Sequence, residues 1–430
     1  MKLSNVKAVL GAYENSSNII KIDVNKNFTF GIEFIDSHIK NIQSVCDASY
    51  AQVSLASLTT IGFLLAHAGI KNTAMYFTDL SSSGTGKTFN MTLQFKLLLQ
   101  SIEKLQEELQ LSCEDTEELK RYHNMHRGKI TTAALNQCIK TQRAQLLMID
   151  ELGLLMSRGS DIIDEVTKLY GVDQTALSVT KGEVPNTKNI VPVAFSFMGA
   201  TTLSYFGGSK SVMKELLGGF INRQVLAYCN VIKKPEEITS IFKDTLDYKT
   251  SNEKAMKLFN FAKTCTIKFH YSKESEDLQL EFKKEVQELI VKYHEMGTEF
   301  GSFYSRIEQN LQIVLNILHT LKCFESNIWF EEIDKEITSK AISFFKEVVF
   351  LEIDKLINYL SDGELLELQS KQLSKIKHHV EKFHNEKGYM PDIRDIQQKT
   401  RIKSLDIEVL TKGYLEIIPG SRKLRYCEKY

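Results

Sequence analysis

Along the chain the spacing of apolar residues changes period several times, and each change marks an element. Apolar positions recur at helical spacing through Gly31–Cys46 and again through Tyr50–Ala68, the second segment being apolar nearly all round. Polar interruptions at Ser54, Ser57, Thr59, Thr60 and His67 make Val53–Ile70 a buried helix rather than a membrane span, and no membrane partner is expected. A short β-like run, Ala74–Thr78, then stops at a turn rich in serine and glycine. From Phe89 to about Gln110 the pattern predicts a long helix. Two further apolar runs, Leu146–Ile149 and Ile190–Met198, end abruptly at Asp150-Glu151 and at Gly199-Ala200-Thr201-Thr202. Short apolar strands separated by helices are the pattern of a parallel sheet covered on both faces, so the fold class is α/β.

Beyond Lys233 the character changes. Thr266–Tyr271 and Leu278–Phe282 alternate apolar and polar across a polar turn, which predicts a hairpin. Helices then dominate: Phe303, Ile307, Leu311, Val314, Leu315 and Leu318 share a face, and Ala341–Leu360 forms another helix. Near the C-terminus, Leu373, Ile376, Val380 and Phe383 mark a helix, and Pro391 opens a second through Lys399. After a Thr400-Arg401 turn, Ser404 can cap a third, Leu405–Lys412. Tyr414–Ile418 and Lys423–Tyr426 would pair across Pro419-Gly420-Ser421. Helix, helix-turn-helix and hairpin make a winged-helix pattern. The expected layout is a helical region over 1–73, an α/β core over 74–230, a mainly helical region over 231–365 and a winged-helix-like module over 366–430.

Composition narrows the class without changing this layout. The 430 residues are 43% hydrophobic and 25% charged, which suits a globular chain with ample core. Lys+Arg and Asp+Glu both number 54, so net charge says nothing until it is mapped. Mapped, it separates: residues 371–430 hold 14 Lys/Arg against 8 Asp/Glu. That local excess favours DNA as partner, gripped mostly through phosphates, with Arg401, Lys403 and Ser404 at the recognition helix and Arg422, Lys423 and Arg425 on the wing. The other reading is a winged helix that docks protein through an ordinary solvated face. The seven cysteines are odd in number, widely spaced and without a CxxC pair, which fits a reducing cytoplasmic setting better than a disulfide framework. The N-terminus carries no apolar stretch of signal-peptide length. His123 and His126, and the group His378, His379 and His384, lack metal-site partners and read as solvated helix faces.

The chemistry concentrates at Ser81-Ser82-Ser83-Gly84-Thr85-Gly86-Lys87-Thr88, a P-loop in which Ser81 stands where glycine is usual. Small residues let the backbone N–H groups of Ser82 to Thr88 curl around phosphates. Lys87 would neutralise the β and γ oxygens of ATP, Thr88 would ligate Mg²⁺, and the following helix adds its dipole. Sixty-three residues further on, the strand ending at Asp150-Glu151 delivers two carboxylates. Asp150 would hold the Mg²⁺ shell, and Glu151 would polarise the attacking water. Thr201 and Thr202 can sense the γ-phosphate or simply cap a helix. Arg223, in the glycine-led turn Gly218-Gly219-Phe220-Ile221-Asn222-Arg223, is a candidate finger for a neighbour's site, with Arg143 and Arg158 as weaker versions.

These pieces together resemble a phage and mobile-element family of P-loop ATPases catalogued as a domain of unknown function. The resemblance rests on Ser83–Thr88, Thr132-Ala133-Ala134-Leu135, Asp150–Leu155, Met198–Thr202 and Gly218–Arg223, with Arg306 opening a later helix. It spans about residues 30–350. It implies a RecA/AAA+-like core in a DNA-dependent ATPase of the replicative-helicase kind. Such a motor forms an oligomeric ring, a hexamer in one reading, with composite sites and a separate primase as companion. Two rival expectations are an ATP-switched initiator or helicase loader, and a non-replicative regulatory or defence ATPase.

Overall fold

A computed structural model describes residues 28–104, 125–128, 131–132, 135, 144–153, 161–170, 194–203, 215, 219–229, 245–265, 269–401, 415–417 and 424–426. Five strands form its central sheet: β1 (Tyr76–Asp79), β2 (Met125–Arg127), β3 (Ala144–Ile149), β4 (Ala194–Ala200) and β5 (Val225–Ala227). All pair in parallel, in the order β2-β3-β4-β1-β5. The three central strands and β5 are buried along almost their whole length, as a sheet covered on both faces requires. The expected α/β class with a parallel sheet is what the chain adopts, and every strand of the sheet lies between Tyr76 and Ala227. The short strands β2 and β5 carry too few apolar residues to announce themselves in the sequence.

Before the sheet come helices α1 (Glu33–Gln43) and α2 (Tyr50–Ala68). Helix α2 starts at a capping box between Ser49 and Gln52 and stops at Gly69 in the left-handed conformation. It is the one helix among the described residues long and apolar enough to cross a membrane, yet 89% of that stretch is buried inside the fold. Three of its buried hydroxyls are satisfied within the helix. Ser57, Thr59 and Thr60 each donate to the carbonyl one turn back, at 2.8, 2.8 and 2.9 Å, so the core accepts them at little cost.

Helix α3 begins at Lys87 (Lys87–Gln94) and continues through a π-helical turn, Phe95–Leu99, to Lys104. Helix α4 (Asp161–Lys168) lies between β3 and β4, and α5 (Tyr248–Thr264) packs on the π turn of α3. The α-helical series then runs α6 (Lys273–Glu295), α7 (Ile307–Ser326) and α8 (Lys335–Phe344). A second π turn, Phe345–Val349, leads into α9 (Phe350–Lys387).

The hairpin expected across 272–277 does not form. Leu278–Phe282 belongs to α6, which Ser272 caps by accepting from the Ser275 N–H at 3.2 Å. Three alternating residues gave the appearance of a strand. Over the longer window, strong helix formers and one buried face of Phe282, Val286 and Tyr293 decide the outcome. His270-Tyr271 instead pairs in parallel with Glu332-Ile333.

Compact units also divide differently from the expected layout. The helices before the sheet and those after it belong to one unit with the sheet, which ends at Ile357, and a second unit begins at Asn358. In the second unit, α10 (Ile393–Thr400) opens with a capping box between Asp392 and Asp395, and Arg401 leaves it in the left-handed conformation. Strands β6 (Leu415–Ile417) and β7 (Leu424–Tyr426) pair antiparallel, as the sequence pattern predicts. The expected third helix, 405–412, lies outside the described residues.

Gly62 shows how tightly α2 is set. A Cβ there would collide with the Thr73 carbonyl oxygen, which belongs to backbone leading into β1. Gly62→Ala is expected to destabilise the fold by about 2 kcal/mol or more, read from urea unfolding.

Candidate functional site

The sheet order fixes where a ligand can enter. The connection leaving β1 heads toward β2, and the one leaving β4 heads the other way, toward β5. Their divergence opens a crevice at the C-terminal ends of β1 and β4. A cleft of about 410 Å³ occupies this place. Ser83, Gly84, Gly86, Lys87 and Thr88 line one side, and Asp150, Glu151, Thr201 and Thr202 line the other. Phe89 stands at its margin.

The loop is built by specific contacts. Ser81 is fully buried, its N–H donates to Asp79 Oδ1 at 3.0 Å, and its hydroxyl accepts from the Cys229 N–H at 2.8 Å. The Ser82 N–H donates to the Cys229 carbonyl at 2.8 Å. Ser81 therefore stitches the loop to the chain leaving β5, a contact that glycine has no side chain to make. Gly84 and Gly86 both hold positive φ, +83° and +78°. At Gly86 a Cβ would also press on Cys46 Sγ and the Ala48 N, so two constraints exclude a side chain there. Among the described residues, the backbone N–H groups from Ser83 to Thr88 donate to no acceptor. Six donors on a curled backbone at a helix start suit a phosphate chain.

Lys87 folds back over this loop. Its Nζ donates to the carbonyls of Ser81 and Ser82, both at 2.6 Å. Burial pulls its pKa below the usual lysine value, while the Asp79 carboxylate works in the opposite direction. Thr85 faces inward rather than into the cleft: its hydroxyl donates to the Ser82 carbonyl at 2.8 Å. Ser82 likewise does not line the cleft, and its side of the loop is spent on Cys229. Across the cleft, Asp150 and Glu151 sit exposed in the turn after β3. Thr201 is buried and extends the β1–β4 ladder, its N–H donating to the Asp79 carbonyl at 2.9 Å. A hydroxyl on Thr88 and a carboxylate on Asp150 are the oxygen donors that Mg²⁺ prefers, the remainder coming from phosphate and water. Among the described residues, no cluster of three or more His, Cys, Asp or Glu side chains could hold a metal on its own.

Two residues absent from the sequence reading are central here. Asp79 ends β1 with its carboxylate buried, accepting from Ser81 N and from Gln52 Nε2 at 2.8 Å. A lone glutamine in the apolar run of α2 was the signal that could have exposed the contact.

No protein-family model matches this chain, and neither does any curated protein sequence. The site has to be judged on its own geometry.

Arg223 lies elsewhere. It closes a 3-10 turn, Ile221–Arg223, just ahead of β5 and therefore at the opposite end of the strands from the cleft. Six residues of nearly extended chain separate it from Cys229, about 20 Å. Its guanidinium is half-buried and donates to the Gly219 carbonyl and, at 3.5 Å, to Asn222 Oδ1. Burial first, and then the neighbouring Arg306, lower its pKa. Neither arginine has a carboxylate partner among the described residues. Of the expected DNA contacts, Arg401 ends α10 and Arg425 lies in β7, while Lys403, Ser404, Arg422 and Lys423 fall outside the described residues. Arg143, Arg158 and His123 fall outside them too. His126 is in β2, within 2.9 Å of Gln145 Oε1.

Burial raises the Asp79 pKa from 3.8 to about 6, against the contrary pull of Ser81, Gln52 and Lys87. The folded state then binds this proton more tightly than the unfolded chain, so stability falls as pH rises from about 4 to about 6 and stays lower above that. The penalty at neutral pH is on the order of a few kcal/mol. Asp79→Asn removes this penalty but sets an NH₂ against one of the two donors, so it is expected to melt no lower than the parent chain at pH 7 and to lose ground to it toward pH 4 in calorimetric scans.

Proposed function

We propose that this chain is a P-loop ATPase of the RecA/AAA+-like kind that works on DNA as an oligomeric helicase or translocase. One observation carries the reading: a loop whose six backbone donors meet no acceptor among the described residues, together with a lysine, faces an acid pair across one cleft, with β4 interposed between the two strands that bring them. In this arrangement the N–H groups of Ser83 to Thr88 bind the phosphates of ATP, and Lys87 leaves the Ser81 and Ser82 carbonyls for the β and γ oxygens. Thr88 and Asp150 would hold Mg²⁺, which when bound neutralises charge developing between the β- and γ-phosphates. Glu151 takes the proton of the attacking water, and Thr201 or Thr202 orients that water or senses the γ-phosphate.

Arg223 precedes β5, whereas its own cleft lies at the C-terminal ends of the strands, so in this reading it acts on a neighbour's cleft. A head-to-tail contact that closes on itself gives a ring, and a hexamer is the size we favour. The basic balance of residues 371–430 supports DNA as the partner of the C-terminal unit, with a winged helix as the module that grips it. A separate primase would be its replication partner.

ATP turnover by the full chain is expected to rise severalfold with single-stranded or forked DNA at one fixed low salt concentration. Indifference to DNA would favour the switch or regulatory alternatives. Lys87→Ala is expected to abolish turnover, and DNA-stimulated activity surviving in that variant would overturn the assignment. Mixing inactive Lys87→Ala with inactive Arg223→Ala is expected to restore part of the turnover, because some junctions then pair an intact loop with an intact arginine. Mixtures that stay inactive would exclude a composite site.

A further inference from the structure

Gln52 is fully buried in a mostly apolar helix, and both ends of its amide are committed. Its Oε1 accepts from the Ser49 N–H at 2.7 Å within the capping box. Its Nε2 donates to Asp79 Oδ2 at 2.8 Å and to Thr85 Oγ1 at 3.3 Å. Asp79 in turn holds the Ser81 N–H, and Thr85 holds the Ser82 carbonyl. One amide therefore grips the phosphate loop at its entry and in its middle. The helix after the loop is tied to the same residue, since Asn90 Nδ2 donates to the Gln52 carbonyl at 3.0 Å. Neither Gln52 nor Asp79 lines the cleft, so neither touches the ligand.

A buried carboxylate is an expensive way to hold two N–H groups if stability is the only aim. Its acceptor-only character is what the place requires. Ser81 N and Gln52 Nε2 both arrive as donors, and an asparagine would set an NH₂ against one of them. We propose that Gln52 and Asp79 are a positioning pair that holds Ser81–Gly86 in the shape that accepts a nucleoside triphosphate. The pair deepens the nucleotide reading of the same cleft and rests on it.

The test is equilibrium binding of a fluorescent ADP analogue with Mg²⁺ to the full chain at pH 7.5, with a thermal melt of each sample. Gln52→Leu and Asp79→Asn are each expected to weaken binding tenfold or more. Asp79→Asn should do so while melting no lower than the parent chain, and the double variant should bind no more weakly than the worse single one. Affinity falling while stability holds is a result that a purely structural role does not give. Binding by both variants within twofold of the parent chain would overturn the pair, as would losses that simply follow a lowered melting temperature. A parent chain that binds no nucleotide would overturn the nucleotide reading itself, and the pair with it. If Gln52→Leu does not fold, Asp79→Asn alone decides.

Discussion

The Asp79 carboxylate is the point on which the cleft depends. The residue ends β1, and three neighbouring elements bond to it: the loop through Ser81 and α2 through Gln52, both at the carboxylate, and β4 through Thr201, whose N–H donates to the Asp79 backbone carbonyl. A residue that joins three elements by hydrogen bonds, two through its carboxylate and one through its backbone carbonyl, fixes their relative positions more narrowly than apolar packing does. It also explains why the cost of burying a charge is accepted here and not elsewhere in the sheet.

From Gln52 the polar contacts continue away from the cleft. Asn90 joins Gln52 to Gln94, and Gln94 Oε1 meets the buried His38 Nε2 at 2.8 Å. Burial holds His38 neutral by pulling its pKa down to about 4, so its ring serves as a fixed hydrogen-bonding plate and not as a switch near neutral pH. Gln94 Nε2 also donates to the Ser57 hydroxyl at 2.9 Å and to the Val53 carbonyl at 3.3 Å. This chain of amides ties α1 and α2 to the helix that follows the loop, which is why the region before the sheet folds as one unit with it and not as a separate domain. A partly satisfied network of this length would be worse than an apolar core, and these members have their partners.

Much of this was legible in the order of residues. Helix α2, the strands ending at Asp79, Ile149 and Ala200, and the gathering of Lys87, Thr88, Asp150, Glu151 and Thr202 at the C-terminal ends of the strands follow from period and spacing. What stayed hidden has physical causes. Three-residue strands such as Val225–Ala227 are too short to show a period, and the alternation at Leu278, Leu280 and Phe282 imitated a strand inside a helix. The roles of Gln52 and Asp79 depend on a contact across 27 residues that no local pattern encodes. Arg223 was found by its turn, but only the strand order shows which end of the sheet it occupies.

Serine at position 81 has a wider consequence. Its backbone does not need a positive φ, and its hydroxyl contributes a tie to the strand leaving the far side of the loop. The loop therefore asks for left-handed backbone only at positions 84 and 86, and its first position is free to be any small residue able to reach the Cys229 N–H. A search pattern that insists on glycine at the first position would discard chains able to build the same cradle, whereas one that admits a hydroxyl there would retain them.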